Sequence, residues 1–121
     1  LIKDNHIQIA GSITEAVERV RRNGSHIPRI EVETETLEQV REALACGVDI
    51  IMLDNMSIDT IKEAVAIIGD SCMIEVSGGI APENIKSYAM AGIKFISMGS
   101  ITHSVRALDI SLDVINTWKS K

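Results

Sequence analysis

Asp49-Ile50-Ile51-Met52-Leu53-Asp54-Asn55, then Ser57 through Gly69, then Cys72-Met73-Ile74-Glu75-Val76-Ser77-Gly78-Gly79: the reading of this span decides the fold. Ile50–Leu53 is a nearly continuous apolar run, as found in strands of parallel sheets buried on both faces. Ser57 is placed to cap a helix that puts Ile61, Ala64, Val65 and Ile68 on one side, and Gly69 closes it. Cys72–Val76 then reads as a second strand. Strand, helix and strand joined by loops this short predict a parallel pair with a right-handed crossover.

The same unit recurs on either side. Upstream, Ile13–Arg22 carries Ile13, Ala16, Val17 and Val20 at helical spacing, with Ser12 and Glu15 forming a capping box and Asn23-Gly24-Ser25 ending the helix. Arg29–Glu33 alternates charged and apolar residues as a strand does, and a helix follows over Leu37–Ala45, closed by Gly47. Downstream, the pattern predicts a helix over Pro82–Met90, a strand over Lys94–Met98, a polar connection from Gly99 to Arg106, and a last helix over Leu108–Trp118. Four such units and one preceding strand end make an α/β chain of parallel (β/α) units, roughly half of a TIM-like barrel, which typically needs about 250 residues. A small, complete doubly wound domain is the structural alternative. Leu1 already lies inside what reads as a strand end, so the expectation is a piece of a longer protein.

Composition narrows the function classes. The net charge of −5 disfavours binding to a phosphate backbone, and Tyr88, Phe95 and Trp118 offer no platform for stacking bases. No apolar run approaches the roughly 18 residues of a membrane span, and no secretory leader is evident. Cys46 and Cys72 lack metal-ligand spacing and read as buried free thiols, the usual state in a reducing cytosol. A cytoplasmic protein with small-molecule partners, and with neither nucleic acid nor membrane, is expected.

Polar residues at strand ends carry the chemistry. Glu33, Asp54, Ser77-Gly78-Gly79 and Gly99-Ser100 recur about 22 residues apart, one per unit, so a parallel sheet brings them to one rim. Alternation along the strands sends Glu31, Glu33, Asp54, Glu75 and Ser77 to the lumen side. Four carboxylates facing one lumen need compensation, either from bound Mg²⁺ or from cations elsewhere in a longer chain. Glu31 and Glu75, deeper in their strands, read as structural ion pairs of the barrel floor. Glu33 and Asp54 at the rim suit ribose hydroxyls or a hydrated Mg²⁺. The two glycine turns present backbone N–H groups, the first of them at a predicted helix start, and paired glycine turns on successive strands point to phosphate binding. Lys3 can neutralise an anion or form a Schiff base. His6 reads as a hydrogen-bonded loop residue, His103 as a phosphate donor, and His26 as solvent-exposed.

Leu1-Ile2-Lys3-Asp4-Asn5-His6-Ile7, Glu31-Val32-Glu33-Thr34-Glu35-Thr36-Leu37, Ile51-Met52-Leu53-Asp54-Asn55, Glu75-Val76-Ser77-Gly78-Gly79-Ile80 and Gly99-Ser100-Ile101-Thr102-His103-Ser104 together resemble the C-terminal part of the quinolinate phosphoribosyltransferases. These enzymes are also called nicotinate-nucleotide pyrophosphorylases (carboxylating). The resemblance implies that residues 1–121 are the C-terminal portion of an α/β-barrel catalytic domain. It implies transfer of a phosphoribosyl group from phosphoribosyl pyrophosphate to quinolinate with loss of CO₂, giving nicotinate mononucleotide and pyrophosphate for NAD synthesis. It further implies a Mg²⁺-dependent homodimer in which Lys3 contacts the quinolinate carboxylates and Glu33 and Asp54 hold ribose hydroxyls and metal. Ser77, Gly78, Gly79, Gly99, Ser100 and His103 take the phosphates. The family's upstream Arg, His and further Lys contacts are absent here, so the segment alone is expected to be inactive. The alternatives are a barrel paralogue with another acceptor, such as the relative encoded with molybdate transport systems, a non-catalytic phosphate-binding module, and, resting on Lys3 only, a Schiff-base aldolase.

Overall fold

A computed structural model describes residues 1–24, 29–90, 92–103 and 110–112. Its elements run α1 (Asp4–Ala10), α2 (Ile13–Asn23), β1 (Glu31–Thr34), α3 (Leu37–Ala45), β2 (Ile50–Asp54), α4 (Ile58–Ile68), β3 (Met73–Ser77) and β4 (Ile93–Ile96). The strands form one parallel sheet in the order β1-β2-β3-β4, and Ile2 adds a parallel bridge to Val32 on the outer side of β1. Doubly wound sheets reverse strand order at a switch point. None occurs among these strands, so the sequential winding is that of a partial (β/α) barrel and the doubly wound alternative falls.

Local chemistry fixes the helix starts. Ser12 Oγ accepts from Glu15 N–H at 3.0 Å, Thr36 Oγ1 from Gln39 N–H at 3.2 Å, and Ser57 Oγ from Thr60 N–H at 3.1 Å, each satisfying a donor that the first turn leaves free. Gln39 Oε1 accepts in return from Thr36 N–H, completing a capping box on α3. The apolar stripes of α2, α3 and α4 all cover the same side of the sheet, where Val32, Ile51, Leu53, Ile74 and Val76 are fully buried. Thr34 is buried among them because its Oγ1 donates to the Met52 carbonyl at 2.9 Å. Across the sheet, Glu33, Met52, Glu75 and Phe95 stand at one level, and Asp54 is paired with Ser77 two residues nearer the rim. The lumen-side assignment of the carboxylates follows from this register.

Three expectations need correction. Lys3-Asp4-Asn5-His6 is not a loop: Asp4–Ala10 is helical, and His6 Nδ1 accepts from the Lys3 N–H at 3.0 Å, so this histidine caps its own helix. The helix predicted over Pro82–Met90 shrinks to one 3₁₀ turn, Ile85–Ser87. Asn84 explains why: its Oδ1 accepts from Ala81 N–H at 2.8 Å and its Nδ2 donates to the Gly79 carbonyl at 3.0 Å, so the side chain competes with the backbone bonds a helix needs. The helix predicted over Leu108–Trp118 falls mostly outside the described residues. The three that are described, 110–112, are not helical, and Ile110 and Leu112 are exposed. His26 also lies outside the described residues.

Candidate functional site

The carboxyl ends of the strands gather the polar residues on one rim. Ile2, buried against β1, carries Lys3 to that rim, where its Nζ lies 3.5 Å from Glu33 Oε2. Glu33 is well buried and Lys3 half-exposed, so the ammonium covers the carboxylate from the solvent side. Asp54 is one strand over and two residues higher, which from strand spacing and rise puts its Cα about 8 Å from that of Glu33. Ser77 faces Asp54 directly across the β2–β3 ladder. The Asp54 carboxylate is held by its neighbour, with Asn55 Nδ2 donating to Oδ2 at 2.7 Å.

The two glycine turns lie side by side beyond β3 and β4. Gly78 and Gly79 both have positive φ, 89° and 62°, a backbone that turns the chain sharply after Ser77. The second turn is a single 3₁₀ turn, Gly99–Ile101, in which the His103 N–H donates to the Gly99 carbonyl at 2.7 Å and the His103 ring packs against Gly99. Ser100 Oγ reaches the Ile80 carbonyl at 3.5 Å, tying the second turn to the first. Since the segment after Gly79 forms only one 3₁₀ turn, the anion-attracting potential of this corner rests on individual N–H groups and not on a helix dipole. Lys3, Glu33, Asp54, Ser77, Gly78, Gly79, Gly99, Ser100 and His103 therefore sit at one end of one sheet.

Below the rim, Glu31 and Glu75 differ from expectation. No cation lies within ion-pair distance of either among the described residues. Instead the two carboxyls face each other, and the Ser97 hydroxyl donates to Glu75. Burial first, and the Glu75 charge second, push the Glu31 pKa above the ordinary carboxylate value, and Glu31 Oε1 is buried without a partner among the described residues. Cys46 and Cys72 are free and half-buried, and burial pushes the Cys72 thiol up, which keeps it protonated and unreactive. A separate hollow of about 620 Å³ lies at the opposite ends of the strands, between Arg29, Asp49, Asp70 and Lys94, remote from the rim.

Sequence reasoning named the rim residues but passed over Asn55. Its signal was present: an Asn directly after a strand-end Asp is one of the few non-glycine residues that tolerate a left-handed backbone.

The chain is similar to known proteins over nearly its whole length. Residues 1–113 match the family model described as quinolinate phosphoribosyl transferase, C-terminal domain. A probable nicotinate-nucleotide pyrophosphorylase [carboxylating] of Bacillus subtilis is 46% identical over 114 residues, covering 94% of this chain and 39% of the relative. Its counterpart in Methanocaldococcus jannaschii is 48% identical over 122 residues, covering 95% of this chain and 43% of the relative. The crystal structure of nicotinate-nucleotide pyrophosphorylase from Ehrlichia chaffeensis superposes with a TM-score of 0.80 at 46% identity, over 85% of this chain and 37% of that one. The Francisella tularensis structure gives 0.82 at 41% identity, over 91% and 39%. The chain thus spans about two fifths of the length of the curated relatives it matches. A shared sequence over nearly every described element, on a shared backbone, leaves one assignment: the chain belongs to the quinolinate phosphoribosyl transferase family, matching its C-terminal domain.

Proposed function

We propose that the protein carrying this chain transfers a phosphoribosyl group from phosphoribosyl pyrophosphate to quinolinate, with loss of CO₂, to give nicotinate mononucleotide and pyrophosphate for NAD synthesis. One observation carries the reading: on a chain of this family, the Lys3–Glu33 pair, Asp54 opposite Ser77, and the two linked glycine turns share a single rim. A phosphorylated sugar needs all three. Backbone N–H groups of Ser77, Gly78, Gly79, Gly99 and Ser100, with the His103 imidazole, take phosphate oxygens. Glu33 and Asp54 accept from the ribose hydroxyls and place negative charge beside an anomeric carbon that turns positive as pyrophosphate departs. Lys3 supplies a cation to a quinolinate carboxylate and orients the pyridine nitrogen toward that carbon. No side-chain nucleophile takes part.

The donor set fits Mg²⁺. Among the described residues no three carboxylate, imidazole or thiolate side chains converge on one point, which leaves no room for an all-protein cage. Mg²⁺ characteristically takes one or two carboxylates and completes its octahedron with water and substrate phosphates. Glu33 and Asp54 would hold it, each with one oxygen already engaged, by Lys3 and by Asn55. When bound, the ion supplies neutralisation of the pyrophosphate charge.

By the same family resemblance the working enzyme is a cytoplasmic homo-oligomer, and the segment alone is inactive. The free thiols Cys46 and Cys72 support a reducing compartment. The test is calorimetric titration of phosphoribosyl pyrophosphate into the polypeptide with and without Mg²⁺, together with Asp54→Ala. Mg²⁺-dependent binding that the substitution abolishes is expected. Metal-independent binding of any phosphate, indifferent to Asp54, would replace this reading with a non-catalytic phosphate-binding module.

A further inference from the structure

Asn55 contacts neither substrate nor metal in the chemistry above, yet its backbone is held where side chains are disfavoured. Among the described residues it is the single non-glycine with positive φ, 53°. Three contacts converge on it. Its Nδ2 donates to Asp54 Oδ2 at 2.7 Å, and its backbone N–H donates to the Ser77 carbonyl at 3.1 Å. Gly78 approaches so closely that a Cβ there would stand 2.6 Å from the Asn55 nitrogen and side-chain Cγ, and nearer still to Oδ1.

The left-handed turn has a geometric purpose. Successive side chains of a strand point to opposite faces, so with Asp54 on the lumen side an extended residue 55 would direct its side chain away from the rim. Positive φ reverses this and folds the amide back onto the preceding carboxylate. With Oδ2 so engaged, the carboxylate plane of Asp54 is fixed and Oδ1 is left for a ligand. The backbone bond to Ser77 then couples that orientation to the first phosphate turn.

We propose that Asn55 is a positioning residue: it sets the Asp54 carboxylate and locks it to the Ser77–Gly78 turn, so that metal and phosphorylated sugar meet a preformed corner. This rests on the reading of the rim as a Mg²⁺–phosphoribosyl pyrophosphate site. A residue serving only the turn would be replaceable by glycine, which adopts positive φ freely. Asn55→Gly is therefore the discriminating variant, made in the whole protein that carries this chain. Mn²⁺ binding in the presence of phosphoribosyl pyrophosphate, followed by electron paramagnetic resonance, should weaken by about 10- to 100-fold, the usual effect of removing a group that orients a metal ligand. The KM for phosphoribosyl pyrophosphate should rise while quinolinate affinity is unchanged. In the unsubstituted protein, saturating Mn²⁺ should broaden the Asn55 side-chain amide resonance beyond detection. Wild-type affinity in Asn55→Gly, or an Asn55 amide signal that survives Mn²⁺, overturns the role given to Asn55. Absence of Mn²⁺-dependent binding by the unsubstituted protein overturns the reading of the rim, and this inference with it.

Discussion

Gly78→Ala should be far more damaging than Gly79→Ala, although both glycines have positive φ and are adjacent in one loop. An alanine in the left-handed region costs about 1–2 kcal/mol at either position. At Gly79 nothing further is added, since among the described residues a Cβ there has no heavy atom within 4 Å. At Gly78 the Cβ meets the Asn55 backbone nitrogen at 2.6 Å, and backbone cannot rotate aside as a side chain can. Relief requires parting the ends of β2 and β3, an overpacking penalty of about 1–3 kcal/mol. The sum is about 2–5 kcal/mol for Gly78→Ala against about 1–2 for Gly79→Ala. Urea unfolding of the two variants, followed by far-ultraviolet circular dichroism, measures the difference directly. Because the displaced bond is the one from Asn55 N–H to the Ser77 carbonyl, phosphate affinity should fall in parallel for Gly78→Ala. Equal midpoints for the two variants would refute the claim that the β2 and β3 ends are packed against each other through Asn55.

Glu31→Gln should stabilise the fold at neutral pH by about 1 kcal/mol, the scale of a buried polar atom gaining a partner, because the new amide can donate to Glu75. The sign follows from the raised pKa of Glu31: the folded state favours its neutral form, so its stabilising contribution is complete below the ordinary value of 4.5 and is lost as pH rises through the folded pKa. Wild type and variant should converge in thermal melts below about pH 4.5 and diverge above it; a constant offset across pH contradicts the carboxyl pairing. Leu53→Ala, at a fully buried position between the sheet and its helices, should cost about 2–5 kcal/mol in the same unfolding assay, and a loss below 1 kcal/mol would show that the helix-covered side is not the core.

The strands and the three helices behind them were legible because their periodicities are unambiguous. Ile50–Leu53 is apolar throughout, and Ile61, Ala64 and Ile68 fall on one helical stripe. Helix α1 was not legible for a physical reason: none of its residues is buried, Ile9 is exposed, and its start depends on His6 reaching back to the Lys3 N–H, a bond no apolar pattern announces. The segment after Pro82 failed in the opposite direction, since Ile85 and Tyr88 have helical spacing but Asn84 claims the backbone groups around it. The rim residues could be named from their regular spacing. Which carboxylates would face each other could not, because the proximity of Glu31 to Glu75 is set by lateral register between strands that are not sequence neighbours.

The sequential order of the sheet bears on how the rim comes into being. Each strand pairs with the one made just before it, so every new ladder closes a short loop and requires no segment still to be synthesised. The pairings that make the corner can therefore form in chain order, Lys3 with Glu33 first and the Gly99 turn last. A chain ending just beyond the Gly79 turn would hold the acidic side of the corner with only one of its two phosphate turns.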